Sequence, residues 1–292
     1  MRYRSRPRRS CRGGGRWVTD YRELLADPSL DAVDLCLPHH LHRPVAVEAL
    51  RAGKHVLCQK PIATTLADAD AMIAAAEAAG RTLAVAEMNR FQPAIARARE
   101  LLEAGLIGEP ILAQSVTSYF QGGDYLTTAW RFQPEEMGGG ALLDGGIHHV
   151  DVLLALLGPV VEVACLTRRV RDIFPTEDTA ALLLRFASGV LGELTVMWSA
   201  RHTPGQLFRV SGTAGMMVAE GSHLRVVSEQ LPQHEEVFAL PTFRWLHEAV
   251  ADFVTAIATG RPPRMGGPEG RADLAVVLAA YEAAATRRVV TL

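Results

Sequence analysis

Lysine is almost missing from this sequence: Lys54 and Lys60 stand against 28 arginines among 292 residues. The skew reads as coding composition, and it singles out a lysine found at a suggestive position. Cysteine is scarce as well. Cys11, Cys36, Cys58 and Cys165 lie far apart and form no C-x-x-C pair. That argues against a disulfide framework and a structural zinc site, and it suits a reducing, cytoplasmic compartment. No uninterrupted apolar run approaches the length of a membrane span, and the start of the chain lacks the apolar core of a secretory signal. Acid is absent from residues 1–16, which hold seven arginines, so the remainder carries a net charge of −9 against −2 for the whole. This stretch reads as a disordered leader or a translated artefact, with a transit peptide and a nucleic-acid arm as alternatives. No nucleic-acid partner is expected for the body of the protein.

What is present is globular. Hydrophobic residues make up 49% and charged residues 21%, which excludes disorder, collagen and coiled coil for the bulk. The length suits two domains. From Trp17 to about Ala86, short apolar runs alternate with amphipathic segments. Strands are expected at Ala32–Leu37, Lys54–Cys58 and Thr82–Ala86, with helices at Leu41–Ala52 and Leu66–Ala79 between them. Such alternation builds a parallel sheet with right-handed crossovers. After a helix near Pro93–Ala104 the pattern changes to strands at Pro110–Phe120, Val160–Val170, Thr179–Phe186, Val190–Ser199 and Leu207–Ser211. A long helix is expected over Gly140–Leu157, two more over Phe243–Thr259 and Glu269–Ala284, and a closing strand at Val289–Leu292. Strands grouped apart from helices indicate an α+β domain on an antiparallel sheet. The expected partition is 1–16, 17–109 and 110–292.

Ligands of open parallel sheets bind beyond the carboxyl ends of the strands. Two segments occupy such ends: Pro38-His39-His40-Leu41-His42 and Gln59-Lys60-Pro61. Pro61 biases Lys60 towards an extended conformation. Both segments also have a plain reading as solvated loop, and the histidines lack a nearby carboxylate for a metal site, so no metal is expected. Asp144 and His148 are four residues apart, which on a helix puts a carboxylate and an imidazole on one face. By the same spacing His149 points elsewhere and Asp151 lies on the His148 side. The alternative is a helix-start carboxylate beside a satisfied histidine. Gly138–Gly140 is a weak phosphate-loop signal.

Taken together, Thr19–Leu25, Asp31–His42, Gly53–Pro61, Asn89-Arg90-Phe91, Gly140–Asp151, Gly212–Gly215 and Gly270–Ala285 resemble the Gfo/Idh/MocA family of nicotinamide-dependent oxidoreductases. The resemblance implies an incomplete Rossmann-type parallel sheet followed by an α+β domain with a large, mainly antiparallel sheet. It implies hydride transfer between NAD or NADP and a sugar or cyclitol carbon. By position, Lys60 matches the lysine beside the nicotinamide ribose, His148 the acid–base residue and Asp144 the carboxylate that orients substrate. Pro38, His39, His42 and Gln59 match cofactor-lining positions, and Trp130-Arg131 reaches cofactor or substrate. Tyr125, Arg131 and His202 are candidates for the substrate pocket. A homodimer or homotetramer formed through the second sheet is also implied.

Two departures accompany the matches. The family usually has glutamate before the lysine, and here it is Gln59, which keeps hydrogen bonding but loses charge. The sequence also contains no G-x-G-x-x-G turn to cradle a pyrophosphate. Trp17–Tyr21 matches the family's third strand, so the strand at Ala32–Leu37 is expected at a sheet edge in a truncated or fragmentary chain. A non-catalytic remnant that keeps oligomerisation or carbohydrate binding is therefore the alternative to a working dehydrogenase.

Overall fold

The computed structural model describes residues 17–242 and 244–292; the Arg-rich stretch lies outside them. A single turn, α1 (Arg22–Leu25), leads into β1 (Ala32–Leu35). The chain then runs through α2 (His42–Arg51), β2 (His55–Gln59), α3 (Leu66–Ala79) and β3 (Leu83–Ala86). The strands pair in parallel in the order β1-β2-β3. Val56, Leu57 and Cys58 are all buried, the continuous apolar run that a sheet covered on both faces demands. Thr65 Oγ1 accepts the Asp68 N–H at 3.1 Å to start α3, and Gly80, at φ +59°, ends it.

The strand implied at Trp17–Tyr21 does not form. Trp17 is 71% exposed, and among the described residues β1 pairs with β2 alone. An extended segment with no neighbour to take its backbone hydrogen bonds has no reason to persist as a strand. The expected edge position of β1 follows from the same pairing.

Beyond α4 (Pro93–Glu103) lies the second sheet. Its first strand is β4 (Pro110–Ser118), followed by the turn α5 (Pro134–Met137) and helix α6 (Ile147–Leu157). Strands β5 (Val160–Arg168), β6 (Thr179–Phe186), β7 (Leu191–Met197) and β8 (Gln206–Gly212) follow. The meander β9 (Gly215–Glu220), β10 (His223–Ser228) and β11 (Glu235–Ala239) comes next. After α7 (Trp245–Thr259) and α8 (Gly267–Thr286), β12 (Val290–Thr291) closes the chain. The order is β11-β10-β9-β8-β4-β7-β6-β5-β12, antiparallel except for the parallel β4–β7 pair. Strand β11 was not anticipated: its residues are almost all exposed, so no burial alternation marks it in sequence.

Buried and exposed residues alternate along β6, with Ala180, Leu182, Leu184 and Phe186 inward. Helices α6 and α8 cover that inner face. The outer face carries Leu183 and Leu191 exposed. Helices α7 and α8, which follow the partition expected near residue 109, return to the parallel sheet. Phe253 packs on Leu57, Ala84 and Ala86, and the Val85 N–H donates to the Met265 carbonyl at 2.9 Å. The stretch Pro134–Leu157 is long and apolar enough to cross a membrane by composition, at a mean hydropathy of 1.4, yet its apolar window is 67% buried inside the fold.

The single helix expected over Gly140–Leu157 is divided: Leu142–Gly146 wind as a π turn before α6. A Cβ on Gly146 would sit 2.8 Å from Leu142 Cδ1 and 2.8 Å from Val196 Cγ2, and one on Gly145 3.0 Å from Trp198 Nε1. The two glycines let the wide turn press against β7 and Trp198, and a π turn holds one residue more than an α turn.

Candidate active site

The carboxyl ends of β1, β2 and β3 lead into 38–42, 59–61 and 87–89, and α6 approaches them from the second half. Lys60, whose peptide bond to Pro61 is cis, donates from Nζ to Asp144 Oδ1 and to the Asp144 carbonyl, each at 2.6 Å. Arg131 Nη1 donates to Asp144 Oδ2 at 2.5 Å and stacks over Tyr125 and Trp130. Burial pushes the Asp144 carboxyl up, but the charges of Lys60 and Arg131 overcome it and hold the group well below the usual carboxylate range. Asp144 is therefore a fixed anion with two cations bound.

The second group is His148 with Glu87. His148 Nδ1 lies 2.6 Å from Glu87 Oε2, and Glu87 Oε1 accepts the Asn89 N–H at 2.9 Å. Glu87 is fully buried. Burial raises its pKa, but the charge and hydrogen bond of His148 outweigh that and lower it. A carboxylate behind Nδ1 fixes the imidazole's tautomer and orientation and stabilises its cation, leaving Nε2 for chemistry. Glu87 was missed in the sequence; an acid directly after a fully apolar strand, at the end where ligands bind, is the signal that marks it. Asp151 turns inward instead, its Oδ1 taken by Arg90.

Lys60, Asp144 and Arg131 thus form one cluster, with His148 one helical turn beyond Asp144. The remaining residues with an expected cofactor role divide. His39 Nδ1 donates to the Met137 carbonyl at 2.7 Å, and its Nε2 is 4.0 Å from Asp144 Oδ1. Burial pushes His39 down to about 3, so it is neutral at physiological pH. His42 lies at hydrogen-bond distance from two carbonyls, with Nδ1 2.8 Å from that of Pro61 and Nε2 3.1 Å from that of Leu37. It braces the two loops and presents no ring nitrogen to a ligand. Pro38 precedes the short turn at His39–Leu41, and the Gln59 side chain meets Cys36. Tyr125 supports Arg131, while His202 is exposed on a loop.

Beside these groups lies a cavity of about 560 Å³, lined by His148, Gly145, Tyr119 and Gln206 among others. His149 also lines it, contrary to the expectation that it points elsewhere. The cavity wraps the start of α6, so two consecutive side chains, about 100° apart on a helix, both front it. Gly138–Gly140 is not a phosphate loop. The Leu142 N–H donates to Glu177 Oε1 at 2.9 Å and the Gly140 N–H to Tyr281 Oη at 3.1 Å. A Cβ on Gly140 would lie 2.2 Å from the Glu177 carbonyl oxygen.

A nicotinamide dinucleotide makes different demands at its two ends. Lys60, Asp144 and His148 fit the reacting end, where a cation and a proton carrier are needed. The pyrophosphate end calls for a glycine turn at a helix start, and between β1 and α2 the described residues offer Pro38, His39 and His40 without a glycine.

Residues 10–87 match the oxidoreductase family described as an NAD-binding Rossmann fold, and residues 95–218 the GFO/IDH/MocA C-terminal domain. A 1,5-anhydro-D-fructose reductase of Ensifer adhaerens is 33% identical over 285 residues, 94% of this chain and 83% of that protein. The chain belongs to the Gfo/Idh/MocA oxidoreductase family. Solved family structures agree in fold. An aldose–aldose oxidoreductase of Caulobacter crescentus, complexed with glycerol, superposes with a TM-score of 0.83 at 31% identity, covering 93% of this chain and 82% of that one. A levoglucosan dehydrogenase in complex with NADH and levoglucosan gives 0.86 at 25% identity, covering 94% and 83%. As a Gfo/Idh/MocA member with the family's NAD-binding domain, the protein is a nicotinamide-dependent oxidoreductase.

Proposed function

We propose that this chain transfers a hydride between nicotinamide and a hydroxyl-bearing carbon of a sugar or cyclitol. The observation that carries this reading is the Lys60–Asp144–Arg131 cluster set one helical turn from the His148–Glu87 pair at the strand ends. The names of its relatives, a reductase of an anhydro-sugar and a dehydrogenase of levoglucosan, support the substrate class.

Hydride loss from an alcohol carbon requires removal of the hydroxyl proton, and His148 Nε2 is the acceptor, with Glu87 stabilising the imidazolium that results. Lys60 spends two of its three N–H donors on Asp144. The third is available to the developing alkoxide. Asp144, locked by two cations, accepts a hydrogen bond from the substrate and fixes its orientation. When bound, the nicotinamide supplies the hydride acceptor; Lys60 would lie at its ribose. Cytoplasmic residence suits the unpaired thiols of Cys58 and Cys165, and the outer face of the large sheet suits pairing with a second copy.

The other reading of the same groups is a polyol-binding protein without turnover. Calorimetric titration with NADH and NADPH, followed by polyol assays, separates the two. Micromolar binding with reduction or oxidation of a polyol is the expected result. A folded, monodisperse sample that binds neither cofactor overturns the dehydrogenase reading.

A further inference from the structure

His149 has a different environment from its neighbour. Its Nδ1 lies 2.6 Å from Ser115 Oγ, and that hydroxyl lies 2.5 Å from the Leu207 carbonyl. A carbonyl can only accept, so the single Ser115 proton goes to Leu207 and Oγ must accept from His149. The ring proton therefore sits on Nδ1, and Nε2 carries a bare lone pair. Ser115 is 1% exposed and cannot exchange this arrangement for one with water. Burial, reinforced by the charge of His148, holds His149 down at about 4, so the ring is neutral at physiological pH.

Two consecutive imidazoles thus front one cavity with opposite support behind them, a carboxylate behind His148 and a serine hydroxyl behind His149. The first is equipped to become a cation and carry a proton. The second is equipped only to accept a hydrogen bond. We infer that His149 determines specificity, its Nε2 accepting a hydrogen bond from a substrate hydroxyl other than the one oxidised, and that Ser115 is a positioning residue which sets its tautomer. The substrate must then be a polyol with a hydroxyl in reach of His149 while another sits at His148. This deepens the reading under Proposed function and rests on it. A site built around an unpaired acceptor discriminates strongly against a ligand lacking the matching donor.

The test has a spectroscopic arm and a kinetic arm. In the full chain labelled with ¹⁵N-histidine, His149 is expected to show a protonated Nδ1 and an unprotonated Nε2. Titration with a panel of D-glucose, D-xylose, myo-inositol and levoglucosan, with NADH present, is expected to shift the Nε2 resonance towards the hydrogen-bonded range for at least one member. Ser115→Ala is expected to move the ring proton towards Nε2. In the kinetic arm, His149→Phe is expected to raise KM for the accepted polyol about tenfold with a much smaller change in kcat. That penalty should vanish for the deoxy analogue lacking the recognised hydroxyl, and His149→Gln, which keeps an oxygen near the Nε2 position, should recover part of it. A protonated Nε2 in the free protein, or no Nε2 shift with any member of the panel, overturns the inference whether or not turnover is seen. An Nε2 shift without turnover supports the assignment of His149 while the dehydrogenase reading fails.

Discussion

Lys60 is one of two lysines in the chain, and its ammonium group meets both the carboxylate and the carbonyl of Asp144. Replacing Lys60 with methionine keeps the stem and removes the charge, leaving Asp144 with Arg131 alone. A fall in kcat of about 10²-fold or more is expected, the usual cost of losing a charge aimed at a developing oxyanion, checked by steady-state kinetics on the polyol that turns over. A second prediction concerns the buried carboxyls behind α6. Asp151 Oδ2 and Asp273 Oδ1 have no hydrogen-bond partner among the described residues. Burial pushes Asp151 up to about 7, with the charge of Glu87 adding to it, and pushes Asp273 well above its ordinary value, with the charge of Asp151 adding to it. In the unfolded chain such groups release their proton near pH 4 (about 3.9 for Asp). The folded state therefore binds more protons between about pH 4 and about pH 7, and stability falls as pH rises through that window. Asp273→Asn removes one acid from this buried group. It is expected to stabilise the protein by roughly 1–2 kcal/mol at pH 8, with a smaller gain at pH 5, read from thermal midpoints at the two pH values.

At the scale of elements, the π turn and the start of α6 decide where the reactive groups stand. The first N–H groups of this segment are satisfied by Glu177 and Tyr281, so the backbone is held rigidly beneath Asp144. Gly140→Ala forces a methyl group against the main-chain oxygen of Glu177, which cannot rotate aside. A destabilisation of about 1–3 kcal/mol is expected from the overpacking, measured as a lower urea midpoint with an unchanged slope. Gly122→Ala is the matched control, because nothing lies within 4 Å of a Cβ there; it should change stability by less than about 0.5 kcal/mol.

At the scale of the whole molecule, one hydrophobic core runs from the parallel sheet through α6 and α8 into the large sheet, which holds the two halves of the site in register. The outer face of the large sheet leaves apolar side chains uncovered, with Leu183 61% and Leu191 45% exposed. An apolar sheet face of this kind pairs or aggregates. If a second copy covers it, Leu183→Arg should reduce the mass measured by light scattering from a multiple of 31.6 kDa to that value, with the far-ultraviolet spectrum unchanged. A variant that keeps the mass of the parent overturns the pairing.

The sequence by itself determined both sheet classes, because burial period is a local property of the chain, and it singled out Lys60, Asp144 and His148 as candidates through strand-end position, helical spacing and family resemblance. Only the tertiary structure decided which groups stand behind those three. Glu87 and His148 are 61 residues apart, Lys60 and Asp144 84, and Ser115 and His149 34. The same holds for the parallel pairing of β4 with β7, and for the π turn that brings His149 to the cavity. Periodicity states which face of an element is apolar, but not which other element that face will meet. The partner of a charged or tautomeric side chain is fixed by the packing of distant segments, and so the proton chemistry of this site is a property of the fold.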